Sequence, residues 1–164
     1  LLFAAATNSA SQDAVESFSV GSDGSLTEVG TSPYTVSNPQ ATPMTLAVSP
    51  NGEYLCVVSS VPADTSLPTP TSQSTILDVF AIAAGGSLTL SSTFAYSAVE
   101  FSEQTTPAPL TPVQLSVHPT QKWRYLFMSS FYGPPCSGQP SEVQPFAINS
   151  DGTLTPGTVN VLPL

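Results

Sequence analysis

Basic side chains are nearly missing from this sequence. Lys122 and Arg124 are the only two among 164 residues, set against 11 acids, for a formal charge of −9. Nucleic acid and anionic membrane surfaces both require a basic footprint, so neither is expected as a partner. The acids are scattered over loop-like stretches and read as a solvated surface. Histidine occurs once, at His118, and cysteine twice, at Cys56 and Cys136. Two cysteines without a histidine cluster do not make a zinc site, so no metal and no cofactor is expected. Cys56 lies in an apolar run, where a thiol packs as a small hydrophobe, whereas Cys136 sits in a Pro/Gly/Ser stretch. The pattern does not suggest a disulfide between them and leaves the localisation open. No apolar run approaches the roughly 18 residues of a membrane-spanning helix. Segments with helical periodicity are missing as well. The chain does not begin with Met and is read as part of a longer protein. Leu1-Leu2-Phe3-Ala4-Ala5-Ala6 is similar to the end of a signal peptide, but it aligns with Tyr54-Leu55-Cys56-Val57-Val58 and is read as a strand.

What the sequence has is a repeat. Val15-Glu16-Ser17-Phe18-Ser19-Val20 runs on to Gly24-Ser25-Leu26-Thr27. Leu77-Asp78-Val79-Phe80-Ala81-Ile82 runs on to Gly86-Ser87-Leu88-Thr89, and Val143-Gln144-Pro145-Phe146-Ala147-Ile148 to Gly152-Thr153-Leu154-Thr155. The spacing is kept without a gap and describes a strand, a tight polar turn ending in Gly, and a second strand. A second block precedes two of the hairpins. Pro43-Met44-Thr45-Leu46-Ala47-Val48-Ser49-Pro50 leads into Tyr54 to Val58, and Pro112-Val113-Gln114-Leu115-Ser116-Val117-His118-Pro119 leads into Tyr125 to Met128. Met44, Leu46 and Val48 alternate with small or polar residues, as strands do. Tyr54 to Val58 is a continuous apolar run, expected of a strand covered on both faces.

Four short strands per repeat, at a period near fifty residues with loop insertions, is the pattern of a propeller blade. A β-sandwich would not explain three in-register copies of one hairpin. The expected fold is all-β, a partial β-propeller of about two and three-quarter four-stranded antiparallel blades. Residues 1–42 form a partial blade without an opening strand, 43–111 a complete blade with loop insertions, and 112–164 a further blade. Pro145 falls in an inner strand, where its missing N–H predicts a bulge or local irregularity.

The pattern Pro-x-x-Leu-x-Val-x-Pro, an apolar strand, then Val-x-x-Phe-x-Ile and Gly-x-Leu-Thr resembles the lactonase family of seven-bladed propellers. That family includes bacterial 6-phosphogluconolactonase and the carboxymuconate cyclase type. Ser129-Ser130-Phe131-Tyr132-Gly133 ahead of Val143 to Leu154 is similar to the family's Ala-Asn-Tyr-Gly block, with a departure at Phe131, where the family carries Asn. The resemblance implies a small-molecule lactone or carboxylate substrate and makes Tyr132 and Gly133 the candidate substrate-binding residues. It also implies that the family's His-containing active-site motif follows Leu164, so that the catalytic residues are unassigned and the chain alone is inactive. Open sheet edges would let such a chain self-associate. A non-catalytic propeller that binds a partner through its variable loops is the alternative.

Read from the residues themselves, chemistry is sparse. His118 is a general-base candidate by type, but it fills the slot of Ser49 beside a turn, where a structural role is expected. Arg124 could bind a carboxylate, though a solvated turn explains it as well. No Gly-x-Ser-x-Gly elbow is present, the hairpin glycines do not form a phosphate loop, and Asp23 and Asp151 fall short of a calcium site. Strand alternation predicts which end of the sheets is functional. The short turns Pro50 to Glu53, Gly21 to Gly24, Ala83 to Gly86 and Asn149 to Gly152 leave on one side. The insertions Ser59 to Ser74, Tyr96 to Thr111 and Phe131 to Ser141 leave on the other. Glu100, Glu103, Tyr132 and Gly133 are therefore expected on the ligand side, and His118, Lys122 and Arg124 opposite.

Overall fold

Strands account for all of the regular secondary structure in the computed structural model, which describes residues 1–7, 13–62, 74–96, 110–117, 125–132, 142–158 and 160–161. The chain forms β1 (Leu2–Thr7), β2 (Asp13–Val20), β3 (Leu26–Glu28) and β4 (Tyr34–Thr35), then β5 (Thr42–Val48), β6 (Tyr54–Val61), β7 (Ser74–Ile82) and β8 (Leu88–Tyr96). It continues with β9 (Leu110–Val117), β10 (Tyr125–Tyr132), β11 (Glu142–Ile148), β12 (Leu154–Pro156) and β13 (Asn160–Val161). Three antiparallel sheets result, none closed into a barrel. The first has the order β1-β2-β3 with β4 also on β2, the second β5-β6-β7-β8, and the third β9-β10-β11-β12 with β13 also on β11. The fold is all-β, and along β1-β2-β3, β5-β6-β7-β8 and β9-β10-β11-β12 neighbours in sequence are neighbours in space, while β4 and β13 return to β2 and β11. The opening strand expected to be missing from the first repeat has no counterpart among the described strands, since β1 pairs only with β2.

The second sheet is covered on both faces because its strands are apolar on both faces. Leu55, Val57, Phe80 and Leu88 pack toward the first sheet, joined by Val15, Tyr34, Val36 and Ala41. Tyr54, Cys56, Val58, Leu77 and Val79 pack the other way, against Phe146 and Ile148 of the third sheet. Phe94 meets Phe146 edge-to-face, with ring centroids 5.2 Å apart. Every side chain from Tyr54 to Ser59 is buried, which is the outcome predicted by the unbroken apolar run. Asp78 is a buried carboxylate inside this strand pattern. Its Oδ2 accepts from the Ser37 backbone N–H at 2.8 Å and its Oδ1 from the Thr93 hydroxyl at 2.8 Å. Both oxygens thus have a hydrogen-bond partner, as buried polar groups require, and the connector from the first sheet is tied to the second.

Strand ends differ from expectation at the loops. β6 runs on through Ser59, Ser60 and Val61, and β7 starts at Ser74, because Thr42–Pro43 on one side and Ser74–Ile76 on the other pair with this polar extension. Pairing satisfies the backbone there regardless of side-chain polarity. Tyr34–Thr35 forms a short strand on β2 opposite Ala14 and Val15.

Pro145 shows why a proline fits an inner strand. The β10–β11 ladder runs through it without a shift. On its other side the pairing slips by one residue between Phe146↔Pro156 and Val143↔Asn160. The second sheet shifts at the equivalent place, between Val79 and Phe80. In the first sheet the equivalent residue is Ser17, whose N–H turns instead to the Ser32 hydroxyl at 3.2 Å. The Ser17 and Pro145 carbonyls both accept from the fourth-strand side, from Val29 N–H at 2.9 Å and Gly157 N–H at 2.8 Å. The proline therefore removes a donor just where the neighbouring strand breaks and a partner would be hard to find.

The hairpin glycines do two jobs. Gly24, Gly86 and Gly152 have φ of 83°, 86° and 82°, a region that side chains other than Gly rarely occupy. Gly86 and Gly152 also press against the preceding sheet, receiving Ser17 Oγ at 2.7 Å and Ser92 Oγ at 2.8 Å on their carbonyls.

Candidate functional site

The ladders separate the two ends of each sheet. At one end lie the short turns: Val20↔Leu26, Val48↔Leu55, Ile82↔Leu88 and Ile148↔Leu154. At the other lie Thr7↔Asp13, Val61↔Ser74 and Thr42↔Ser60, with Tyr132↔Leu110 in the third sheet. Contacts between sheets keep these ends together. Thr42 Oγ1 donates to Asp13 Oδ2 at 2.8 Å between the loop-side ends of the first two sheets. Tyr54 Oη donates to the Ser150 carbonyl at 2.8 Å between the turn-side ends of the second and third.

Tyr132 therefore closes β10 at the loop-side end, opposite Leu110. Val117 ends β9 opposite Leu126, about 23 Å away at roughly 3.3 Å per residue. Gly133, Glu100, Glu103, His118, Lys122, Arg124 and Cys136 lie outside the described residues.

A cleft opens on the loop-side end between the first two sheets. Ala5, Ala6, Asp13, Thr42 and Pro43 line a cavity of about 220 Å³. Ala5 and Ala6 come from β1, Asp13 opens β2, and Thr42 and Pro43 open β5 as the connector enters the second sheet. The hydrogen-bonded Asp13–Thr42 pair supplies its polar wall. Ser59 pairs directly with Pro43, and its buried hydroxyl has no hydrogen-bond partner among the described residues.

The cleft can accept hydrogen bonds at the Asp13 carboxylate and exchange them at the Thr42 hydroxyl, which suits a small hydroxylated ligand. The polar side-chain groups among its described lining residues are one hydroxyl and one carboxylate, hydrogen-bonded to each other. Among the described residues no three His, Cys, Asp or Glu stand close enough to share a metal ion. Asp13 and Thr42 escaped sequence reasoning because they flank different repeats. Their positions at the starts of β2 and β5, on the side that receives the insertions, were the available signal. Searches with protein-family models and among curated proteins find no match to this chain.

Proposed function

We propose that the chain forms part of a lactonase-like propeller acting on a sugar lactone or a muconate/muconolactone-type substrate through its loop-side end. The observation that carries this reading is the repeat itself, with Tyr132 and the Asp13–Thr42 cleft at the end from which the insertions leave. Loops on a rigid sheet scaffold are where binding concentrates. In this reading Tyr132 and Gly133 contact the substrate, and the acid–base groups come from residues outside this chain. Turnover of gluconolactone-type and muconolactone-type substrates by this chain and by the longer protein tests it. Activity in the longer protein alone is expected. Equal turnover by both would place the catalytic groups within these residues, and no turnover by either would overturn the enzyme reading.

The second reading is a non-catalytic module whose loop-side end holds a partner. It is favoured by the composition of the cleft, where the one carboxylate among the described lining residues is already engaged by a hydroxyl.

A further inference from the structure

Asparagine is followed by glycine once in this sequence, at Asn51-Gly52. The pair sits in the turn between β5 and β6, at the end of the second sheet away from the Asp13–Thr42 cleft. An Asn-Gly step carries its own chemistry. The glycine backbone nitrogen gives up its proton and attacks the side-chain amide carbon of the asparagine, ammonia leaves, and a five-membered succinimide forms. Water then opens either carbonyl of the ring, giving aspartate or its β-linked isomer. Glycine favours the attack because it has no side chain to crowd the ring. Among the described residues nothing lies within 4 Å of where a Cβ on Gly52 would point. The other asparagines precede Ser9, Pro39, Ser150 and Val161. Proline has no N–H to give up, and the other three carry side chains that hinder ring closure. Asp23-Gly24 and Asp151-Gly152 have the glycine, but an ionised carboxylate is a poor electrophile.

The folded turn holds both reacting groups. The nucleophile is engaged, since Gly52 N–H donates to the Ser49 carbonyl at 2.8 Å. The electrophile is engaged too. Asn51 Oδ1 accepts from Ser49 Oγ at 2.7 Å and from Glu53 N–H at 3.2 Å, and Asn51 Nδ2 donates to Glu53 Oε2. Ser49 is itself fixed. It is buried, its N–H donates to the Tyr54 carbonyl at 2.8 Å, and its Oγ accepts from Tyr54 N–H at 2.9 Å. Ring closure needs the Gly52 N–H released and the Asn51 side chain turned, so these bonds must first be lost. The product does not fit the same bonds. The Asn51 amide has donors for the Glu53 carboxylate, whereas an aspartate there offers a second carboxylate. The β-linked isomer adds a methylene to the main chain of a turn that Ser49 and Tyr54 close.

We propose that Asn51 is a deamidation site guarded by the fold. While the turn is closed the side chain is withheld from Gly52. When the turn opens, Asn51 converts irreversibly to a product that weakens the entry to β6 and so marks chains that have unfolded there. Local opening of this kind governs many reactions of native chains. Several hydrogen bonds must be lost, each shifting an equilibrium by roughly three- to tenfold, so the protection is about tenfold or more. The site is independent of any lactone chemistry, because neither Asn51 nor Gly52 lines the loop-side cleft.

The test incubates the protein in mildly alkaline buffer with and without guanidinium chloride. Chymotryptic peptides that contain Asn51 are followed by mass spectrometry for conversion of amide to acid. Electron-transfer fragmentation separates aspartate from its β-linked isomer. In denaturant Asn51 should convert fastest of the five asparagines, and in the folded protein at least about tenfold more slowly than in denaturant. Ser49→Ala and Glu53→Ala each remove a partner of the Asn51 amide and should raise the folded rate severalfold while leaving the denatured rate near the parent's. Glu53 is exposed, so its variant keeps the comparison available where loss of the buried Ser49 hydroxyl unfolds the chain. Asn51→Asp should lower the urea midpoint, and Glu53→Gln in that background should restore it by giving the new carboxylate a donor. Equal rates in the two states, faster conversion when folded, or an unmodified Asn51 in denaturant would each overturn the proposal. So would a folded rate that neither variant changes, or a midpoint that Asn51→Asp leaves where it was.

Discussion

Phe18, Val20 and Leu26 in the first sheet hold the positions of Phe80, Ile82 and Leu88 in the second and Phe146, Ile148 and Leu154 in the third. Their ladder partners agree: Phe18↔Glu28, Phe80↔Leu90 and Phe146↔Pro156. Their surroundings do not. Phe80 is 2% exposed and Phe146 0%, whereas Val20 and Leu26 are each 52% exposed and Leu2 is 42% exposed. The second and third sheets have a neighbour on this face, and among the described residues the first sheet has none. Three copies of one local pattern thus make the same hairpin three times and bury it only twice. The strand pattern fixes local structure, while the docking of a neighbouring sheet decides whether the apolar face contributes to stability.

That contrast can be broken most directly at the aromatic position. Phe146→Ala removes a fully buried ring from the joint between the second and third sheets and should cost about 3–5 kcal/mol, in the range for large-to-small core changes. Phe18→Ala, at the half-buried position of the first sheet, should cost about 1 kcal/mol or less. Urea denaturation of both variants measures the difference. Equal losses would mean that the exposed face is covered in solution.

The turn glycines sharpen the same contrast at a smaller scale. An Ala at Gly24 meets nothing within 4 Å and bears only the strain of positive φ, about 1–2 kcal/mol. An Ala at Gly152 bears that strain and in addition brings its Cβ to 2.8 Å from Tyr54 Cε1 and 2.9 Å from Ser91 Cβ. Overpacking of this kind adds about 1–3 kcal/mol. The excess for Gly152→Ala over Gly24→Ala, read from the same urea midpoints, isolates the docking role from the turn role.

The repeat made the hairpins, the meander order and the two-faced burial of Tyr54 to Val58 legible in the sequence. Pattern alone could not separate Phe18 from Phe80, because both strands read the same and the difference lies in what packs against them. Pro145 signalled an irregularity correctly, but the side on which it falls depends on the break between β12 and β13. The site was less legible. Tyr132 stands at the loop-side end of its strand as strand alternation requires, and Gly133 lies outside the described residues. The Asp13–Thr42 pair bridges residues 29 apart, a contact that no periodicity encodes.

Cys56 offers a pH-dependent measure of the buried joint. Burial pushes its thiol from 9.0 up to about 12. A raised value means that the folded state favours the neutral thiol. Its contribution is complete below pH 9 and is lost as pH rises toward 12. At pH 10, one unit above the free-thiol value, the loss should be about 1.4 kcal/mol. Comparing the parent with Cys56→Ala across this range removes the contribution of tyrosine ionisation. The same burial should keep Cys56 unreactive to iodoacetamide at about pH 8 until the chain is unfolded, tested with Cys136 replaced by Ser. A parent and Cys56→Ala with parallel alkaline profiles would place the thiol in contact with water.

The smallest expected effect is one where the sheets should behave alike. Asp23 Oδ1 accepts from Ser25 N–H at 3.0 Å and Ser25 Oγ at 2.7 Å. Asp151 Oδ1 accepts from Thr153 N–H at 3.0 Å and Thr153 Oγ1 at 2.7 Å. The hydroxyl bond, then the backbone bond, holds each carboxyl below its usual 3.8. A lowered value stabilises the fold above the unfolded value, and that benefit disappears as pH falls below 3.8 through the folded one. Both carboxylates are fully exposed, so solvent screening keeps the effect small. The second sheet's turn has Gly85 at this position and lacks the device altogether. Asp23→Asn and Asp151→Asn should therefore shift the acid limb of the stability curve slightly and by equal amounts, although one turn docks on a neighbouring sheet and the other does not. Carboxyl titration by NMR together with acid denaturation of the two variants provides the measurement. A larger shift for Asp151 would show that docking reaches into the turn's own hydrogen bonds, and the division between local and inter-sheet terms would fail there.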